Sequence, residues 1–597
     1  MLAPSRSTLF CSPMAHLFRR SPAFDVRGCA ALLVSLAGVA CTPEKAPADP
    51  PSDTGGSEDG SDVVVADYAL TLKPLLPPNQ PDLFAIAAEV QLEISQGGEV
   101  LGPFSLAELA AGGGQLAEAL PALDGAVLTL RALDADGNLV SVGRSAPVTA
   151  QTGPQEVSIF MGRSRSVGWL DPVPSATGSE RPVHAGGLVA LGGGVFQLYG
   201  GTLRVSTTGA SPGEDADDGI WQLDLNDVNG GLLFSRVADM VSTGTGSGGG
   251  ARAAHTVTRL VGDHPDAGLL LIAGGATDYF DSPNATRQAA IYDPVALAVV
   301  AELEMGSPLF QHIATVDAND RVVLSGGGTS RSDTSVNQIA GNTRIYIYDP
   351  TAREFESIGV SDEPYLFHGA AARRDGSVLL CGGAPFDAPG DAYDAEDYAG
   401  SGCGVLTVSG EYVPRSESGI QLPVPMIHPA MLTLSDGSVV LAGGLSPAEA
   451  DGDVSYFAEA RVWSLAPGAS DWTVVGTLGL GRGLATVVEV GADEVLIVGG
   501  VTRLEQPGFP DGELAVSCVE RLNVRTGVSR FVPASVLSVA DEAGYTCGPT
   551  QVDGGLRSAA STVMVALDPS DTSVLMVGGL SDGPPANSGV SLYFPDR

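Results

Sequence analysis

Between residues 67 and 162 apolar and polar side chains alternate one for one: Val90, Leu92 and Ile94 fall on one side of an extended chain, and Glu89, Gln91 and Glu93 on the other. A period of two marks strands with one face buried and one in water. Residues 68–73, 127–132, 139–142 and 157–160 read the same way, and Asp134-Ala135-Asp136-Gly137-Asn138 supplies turn chemistry between two of them. Such a run of about seven short strands predicts a small β-sandwich over 67–163, with a short helical turn within 105–120.

Past residue 180 the pattern changes to continuous apolar runs that end in a glycine doublet. FQLYGG ends at Gly201, LLLIAGG at Gly275, VVLSGG at Gly327, VLLCGG at Gly383, VVLAGG at Gly444, VLIVGG at Gly500 and VLMVGG at Gly579. A second landmark precedes each doublet by 14 to 19 residues: His184, His255, His312, His368 and His428, with Ala485 and Ala560 in the last two copies. Arg181, Arg252, Arg482 and Arg557 stand three residues earlier still, and the landmarks are spaced by 71, 57, 56, 60, 57 and 75 residues. Within a unit Asp375-Gly376 and Asp436-Gly437 read as hairpin turns. After the doublet come a variable loop, a strand carrying Trp221, Tyr292, Tyr348, Trp463 or Tyr593, and a fourth strand carrying Phe234, Phe355, Tyr412, Trp472 or Phe531. Each repeat is therefore predicted as four antiparallel strands, and the chain as all-β.

This phrase, Arg-x-x-His, Asp-Gly, Val-Leu-x-x-Gly-Gly, Tyr-Asp-Pro, Trp, resembles the kelch repeat of the propellers that include the galactose-oxidase-type domain. The resemblance covers roughly 430 residues and implies a seven-bladed β-propeller over 164–597, preceded by an immunoglobulin-like or transthyretin-like β-sandwich. The last repeat stops after its third strand, at Tyr593, whereas residues 167–172, with Trp169, have the spacing of a fourth strand ahead of the first repeat. That N-terminal strand is expected to close the last blade and cover its edge.

The N-terminus reads as an address. Arg19, Arg20 and Arg27 precede the apolar run 29–40, which has the length of a signal-peptide core and is too short to span a membrane as a helix. Gly38-Val39-Ala40 before Cys41 resembles the lipobox of bacterial lipoproteins, with Gly38 where that motif usually has Leu, and the resemblance implies lipid attachment at Cys41. Residues 1–40 are then a signal peptide and 41–66 an acidic tether of Pro, Ser and Gly. The expected location is the bacterial cell envelope, on the outer membrane or cell surface, with the lipid anchor as the contact to the membrane. In an oxidising compartment Cys381, Cys403, Cys518 and Cys547 allow three pairings. Within the fourth blade Cys381 and Cys403 suit a bond between neighbouring strands, which leaves Cys518 and Cys547 to pair by elimination.

Composition narrows the function. The 597 residues carry 70 Asp and Glu against 31 Lys and Arg, a formal charge of −39, which excludes a phosphate-seeking nucleic-acid surface. Much of the acid sits in the loops after the doublets, which the blade assignment places on one face: Asp215, Asp217 and Asp218; Asp278 and Asp281; Asp387, Asp391, Asp394 and Asp397; Asp451 and Asp453. With Phe386, Tyr393 and Tyr398 among them, these loops form a candidate face for calcium, a basic protein or a glycan. The recurring His are read as structural, because equivalent atoms in adjacent blades lie too far apart for bonds of about 2.0 Å to one metal. No catalytic residue is assigned and no cofactor identified beyond that calcium. The chain is read as a monomeric, non-enzymatic binding or scaffold module; the alternative is a propeller enzyme of the carbohydrate-processing or oxidase type.

Overall fold

The computed structural model describes residues 34–37, 68–75, 86–97, 99–106, 123–145, 147–149, 153–169, 185–202, 216–225, 234–240, 250–277, 284–331, 339–359, 366–384, 400–450, 453–504, 516, 518–532, 563–568, 573–578 and 590–594. The chain divides into two compact units, Met1–Leu76 with Asp82–Met161, and Pro77–Pro81 with Gly162–Arg597. Nearly all regular structure is β.

In the first unit the alternating segments become Glu89–Gln96, Glu99–Ser105, Val127–Leu133 and Leu139–Arg144, joined by Tyr68–Leu75 and the long Gly153–Arg163. They link into one hydrogen-bonded sheet rather than two separately paired ones, and the pairing of Tyr68–Leu75 with Gly153–Arg163, near one edge, is parallel, Leu72 opposite Val157. Val34–Ala37, inside the stretch read as the export signal, is the outermost strand beside Tyr68–Leu75. In a chain cleaved before Cys41, Tyr68–Leu75 becomes that edge. The inward positions of the alternation, Leu92, Ile94, Leu128, Leu130 and Ile159, form a single apolar core. Asp134 accepts the backbone N–H groups of Asp136 (2.9 Å) and Asn138 (2.8 Å), so this carboxylate serves the hairpin turn.

Among the described residues the second unit holds seven four-stranded antiparallel sheets, a set consistent with a β-propeller. Their first strands are Gly187–Gly192, Thr256–Arg259, Ile313–Val316, Gly369–Ala372, Ala430–Thr433, Thr486–Gly491 and Val563–Leu567. Each lies beside the first strand of the next sheet, and Val563–Leu567 lies beside Gly187–Gly192. Three strands of the last sheet come from the C-terminus; the fourth is Val167–Trp169, with Val167 opposite Tyr593. Gly194 N–H also donates to Asp568 at 2.8 Å, joining the last sheet to the first.

Continuous apolar runs are second strands packed on both faces: every residue of Leu270–Ala273, Val322–Ser325, Val378–Cys381 and Val439–Ala442 is buried. Successive sheets share cores, as where Tyr199 and Ile220 of the first meet Ile272 and Tyr292 of the second. The third-strand aromatics Trp221, Tyr292, Tyr348, Trp463 and Tyr593 are all buried in these seams.

The doublets are required by close approach. A Cβ on Gly274 (φ 63°) would lie 2.5 Å from the Leu309 carbonyl and 2.8 Å from the His312 ring, both belonging to the next sheet. The second glycine donates its N–H to that same sheet, Gly275 to Leu309 (2.7 Å), Gly383 to Met426 (2.9 Å) and Gly444 to Arg482 (3.0 Å).

Candidate functional site

Of the acidic candidates, Asp217, Asp218 and the backbone of Asp453 lie within the described residues; Asp215, Asp278, Asp281, Asp387, Asp391, Asp394, Asp397 and Asp451 lie outside them, as do Cys41 and Cys547. Asp217, at the start of a third strand, is buried: it accepts Trp221 Nε1 at 2.7 Å and faces Arg236 Nη1 at 3.4 Å. Burial raises its pKa, against the Trp221 hydrogen bond and the Arg236 charge. Asp218 and Asp239 grip the same Arg236, at 2.5 and 2.7 Å. These carboxylates therefore fasten the third and fourth strands of the first sheet. Asp453 opens the second strand of a hairpin, Leu445–Ala450 with Asp453–Ala458, that grows from the fifth doublet and takes Arg503–Leu504 from the sixth as a third strand.

Of the recurring His, His255, His312 and His368 are buried and His428 is half-buried, while His184 lies outside the described residues. His312 meets Thr256 Oγ1 at 3.0 Å and His368 meets Ser325 Oγ at 2.9 Å, each reaching back to the preceding sheet. Burial lowers the pKa of His255 and His428 to about 3 and of His312 to about 4, so all three are neutral in the fold. The Tyr199 carbonyl opposes the His255 shift slightly but lacks hydrogen-bond geometry, and both ring nitrogens of His255 are buried without a partner. Among the described residues no group of three or more His, Cys, Asp or Glu is placed to hold a metal ion.

Backbone conformation corrects the register of the landmark. Ala185, Ala254, Gln311, Phe367, His428 and Leu484 are all left-handed, with φ between 51° and 59°. They form a belt: Ala254 N–H donates to Ala185 (2.7 Å), Gln311 to Ala254 (2.9 Å), His428 to Phe367 (2.6 Å) and Leu484 to His428 (3.3 Å). His255, His312, His368 and Ala485 follow the belt residue, whereas His428 is the belt residue itself and Pro429 takes the place of the other His. By the same register the belt residue of the first sheet is Ala185, so His184 precedes it. Beside the belt Phe310, Leu366, Phe367, Ile427, Leu445 and Tyr456 join one apolar cluster drawn from successive sheets. Spacing along the chain finds the landmark to within a residue; only φ assigns it.

Cys381 and Cys403 are directly opposed in the ladder and form a disulfide. Cys518 is disulfide-bonded too, to a residue outside those described. Sequence reasoning missed the ion pair of Arg482 with Glu520, 2.9 Å apart and 0 and 1% exposed. Its signal was the Arg three residues before Ala485, which needs a buried counterion once the strands stack.

Among the described residues no helix is long and apolar enough to cross a membrane. No family model matches the chain, and no curated protein does. Among solved structures the chain is similar to one titled "Structure of YjhT", at 14% identity and a TM-score of 0.38, over 59% of this chain and 98% of that one.

Proposed function

We propose that the chain is a kelch-type, seven-bladed propeller carried on a lipid-anchored, exported lipoprotein, and that it works as a rigid, non-enzymatic platform presenting its doublet loops to a cation, a basic protein or a glycan. The observation that carries this reading is the cyclic order of the first strands, bound by the left-handed belt, with an apolar cluster that includes Phe310 and Tyr456 drawn from successive sheets. In such a ring the loops between strands are the variable surface, and recognition is assigned to them. In this reading residues 164–597 form the propeller, with 167–172 closing its seventh blade. Residues 67–163 are a sandwich-like module in which the single sheet folds over its core, and 41–66 are the tether from Cys41. Cys547 is the partner of Cys518, and the protein is a monomer of the cell envelope.

The test is fractionation of cells making the full chain or its Cys41→Ala variant in the presence of labelled palmitate. The parent should sediment with membranes and carry label, and the variant should be unlabelled and free. Membrane retention of unlabelled Cys41→Ala would refute the anchor. Steady release of hydrogen peroxide from sugars or primary alcohols by the purified protein would refute the non-enzymatic reading in favour of an oxidase.

A further inference from the structure

Arg252 and Arg482 occupy the same place in two sheets, two residues before the left-handed belt position, and make the same backbone contacts. Arg482 Nη1 donates to the carbonyls of Gly499 (3.4 Å) and Cys518 (2.8 Å); Arg252 Nη1 donates to those of Gly274 (3.3 Å) and Gln288 (3.4 Å). In both sheets these carbonyls belong to the first glycine of the doublet and to the residue two places before a fixed point of the third strand. That point differs. In the sixth sheet it is Glu520, opposite Ile497 in the ladder, whose carboxylate pairs with Arg482 Nη2. In the second sheet it is Ala290, opposite Ile272.

Arg252 therefore keeps the burial of its counterpart, 7% exposed, with two long carbonyl contacts and no carboxylate bound to it among the described residues. Where the carboxylate is missing there is a cavity of about 150 Å³, lined by Met240 of the first sheet and by Arg252, Ile272, Ala290, Tyr292 and Leu303 of the second. The Tyr292 hydroxyl is buried and has no hydrogen-bond partner. Of the two carboxylates in the lining, Glu304 is committed to Arg287 at 3.2 Å and Glu302 is exposed. Burial lowers the Arg252 pKa to about 10, which leaves it charged at neutral pH. An unneutralised buried cation is costly, and a largely apolar cavity whose buried charge is a single cation, with its two lining carboxylates exposed, has the form of a small-ligand site.

The geometry points to a binding site for a small monocarboxylate with an apolar body: the ligand carboxylate takes the position that Glu520 fills in the sixth sheet, and its body lies against Met240, Ile272 and Leu303. A cavity of roughly 150 Å³ holds one benzene-sized ring, which makes benzoate a fitting probe.

The test is thermal unfolding and calorimetric titration of the full chain with sodium benzoate, benzamide and sodium chloride, repeated on Ala290→Glu and Arg252→Gln. Benzoate should raise the unfolding midpoint with dose and bind, while benzamide and chloride at equal concentration should not. Ala290→Glu, which supplies the missing carboxylate from the protein, should raise the midpoint without ligand and weaken benzoate binding by at least about tenfold. That variant keeps the experiment decisive if Arg252→Gln fails to fold. Equal responses to benzamide or chloride, no response to benzoate at millimolar concentration, undiminished benzoate binding by Ala290→Glu, or a crystal structure with Glu302 turned inward onto Arg252 would each overturn the proposal.

Discussion

At the scale of single residues the fold depends on positions where a side-chain atom has no room or a proton no place. Gly274 and Gly468 are both left-handed, at φ 63° and 76°, but only Gly274 has a neighbouring sheet where a Cβ would stand; Gly468 has nothing within 4 Å. Gly468→Ala should cost about 1 kcal/mol, the backbone term alone, whereas Gly274→Ala should cost about 3 kcal/mol or more, because the Leu309 carbonyl must move with it. Urea unfolding of the two variants checks this, and equal losses would mean that the doublet serves conformation and not contact. The buried His add a pH dependence. His255, His312 and His428 titrate at about 3 to 4 in the fold against 6.5 when exposed, so the unfolded chain binds more protons below 6.5. Their contribution is complete above that pH and is lost as pH falls toward 4, on the order of 2 kcal/mol per His by pH 5. The melting temperature should fall steeply between pH 6.5 and 4.5, ahead of the usual carboxylate range; a flat profile there would show these rings to be hydrated.

At the scale of elements, legibility followed locality. Asp375-Gly376 forms the expected hairpin turn, with Gly376 N–H donating to Arg373 and Asp375 accepting Ser377 N–H, because the signal and the bonds lie within five residues. The doublets were legible because the same two glycines recur in every repeat, although their contacts run to the next sheet. What spacing could not deliver was anything decided by a partner strand or by backbone hand: the left-handed belt on ordinary residues such as Gln311 and Phe367, the one-residue offset of His428, or the pairing of all N-terminal strands into one sheet. The monocarboxylate cavity belongs to this class, since the difference between Glu520 and Ala290 appears only after two ladders are aligned. Cys381 and Cys403 lie between the extremes, 22 residues apart yet assignable once the second and third strands were placed. Closing a loop of that length contributes roughly 3 kcal/mol in the chain-entropy description. The double variant Cys381→Ala, Cys403→Ala should lose about that much in urea while remaining folded, and loss of less than about 1 kcal/mol would indicate that the fourth sheet already restrains the unfolded chain.

At the scale of the molecule, charge and architecture pull against each other. The sheets retain cations chiefly where a carboxylate already holds them: Arg236 with Asp217 and Asp218, Arg321 with Asp317, Arg353 with Asp266, Arg461 with Glu459, Arg482 with Glu520. Pairing of this kind commits these five Arg within the sheets, and the chain as a whole keeps a formal charge of −39. Compacting that excess costs self-repulsion, which mobile ions screen beyond about 10 Å at 0.1 M salt. The buried pairs are screened far less, so salt should act mainly on the repulsive part. Raising sodium chloride from about 20 to 200 mM should therefore raise the unfolding midpoint, a range over which the Debye length falls from roughly 20 to 7 Å. A magnesium or calcium salt at matched ionic strength tests whether the acid is merely diffuse. An equal rise means that no loop gathers a cation specifically, and a larger rise with calcium alone means that the doublet loops converge on one. A midpoint that falls with sodium chloride would mean that the ion pairs stabilise the fold by more than the −39 charge opposes it.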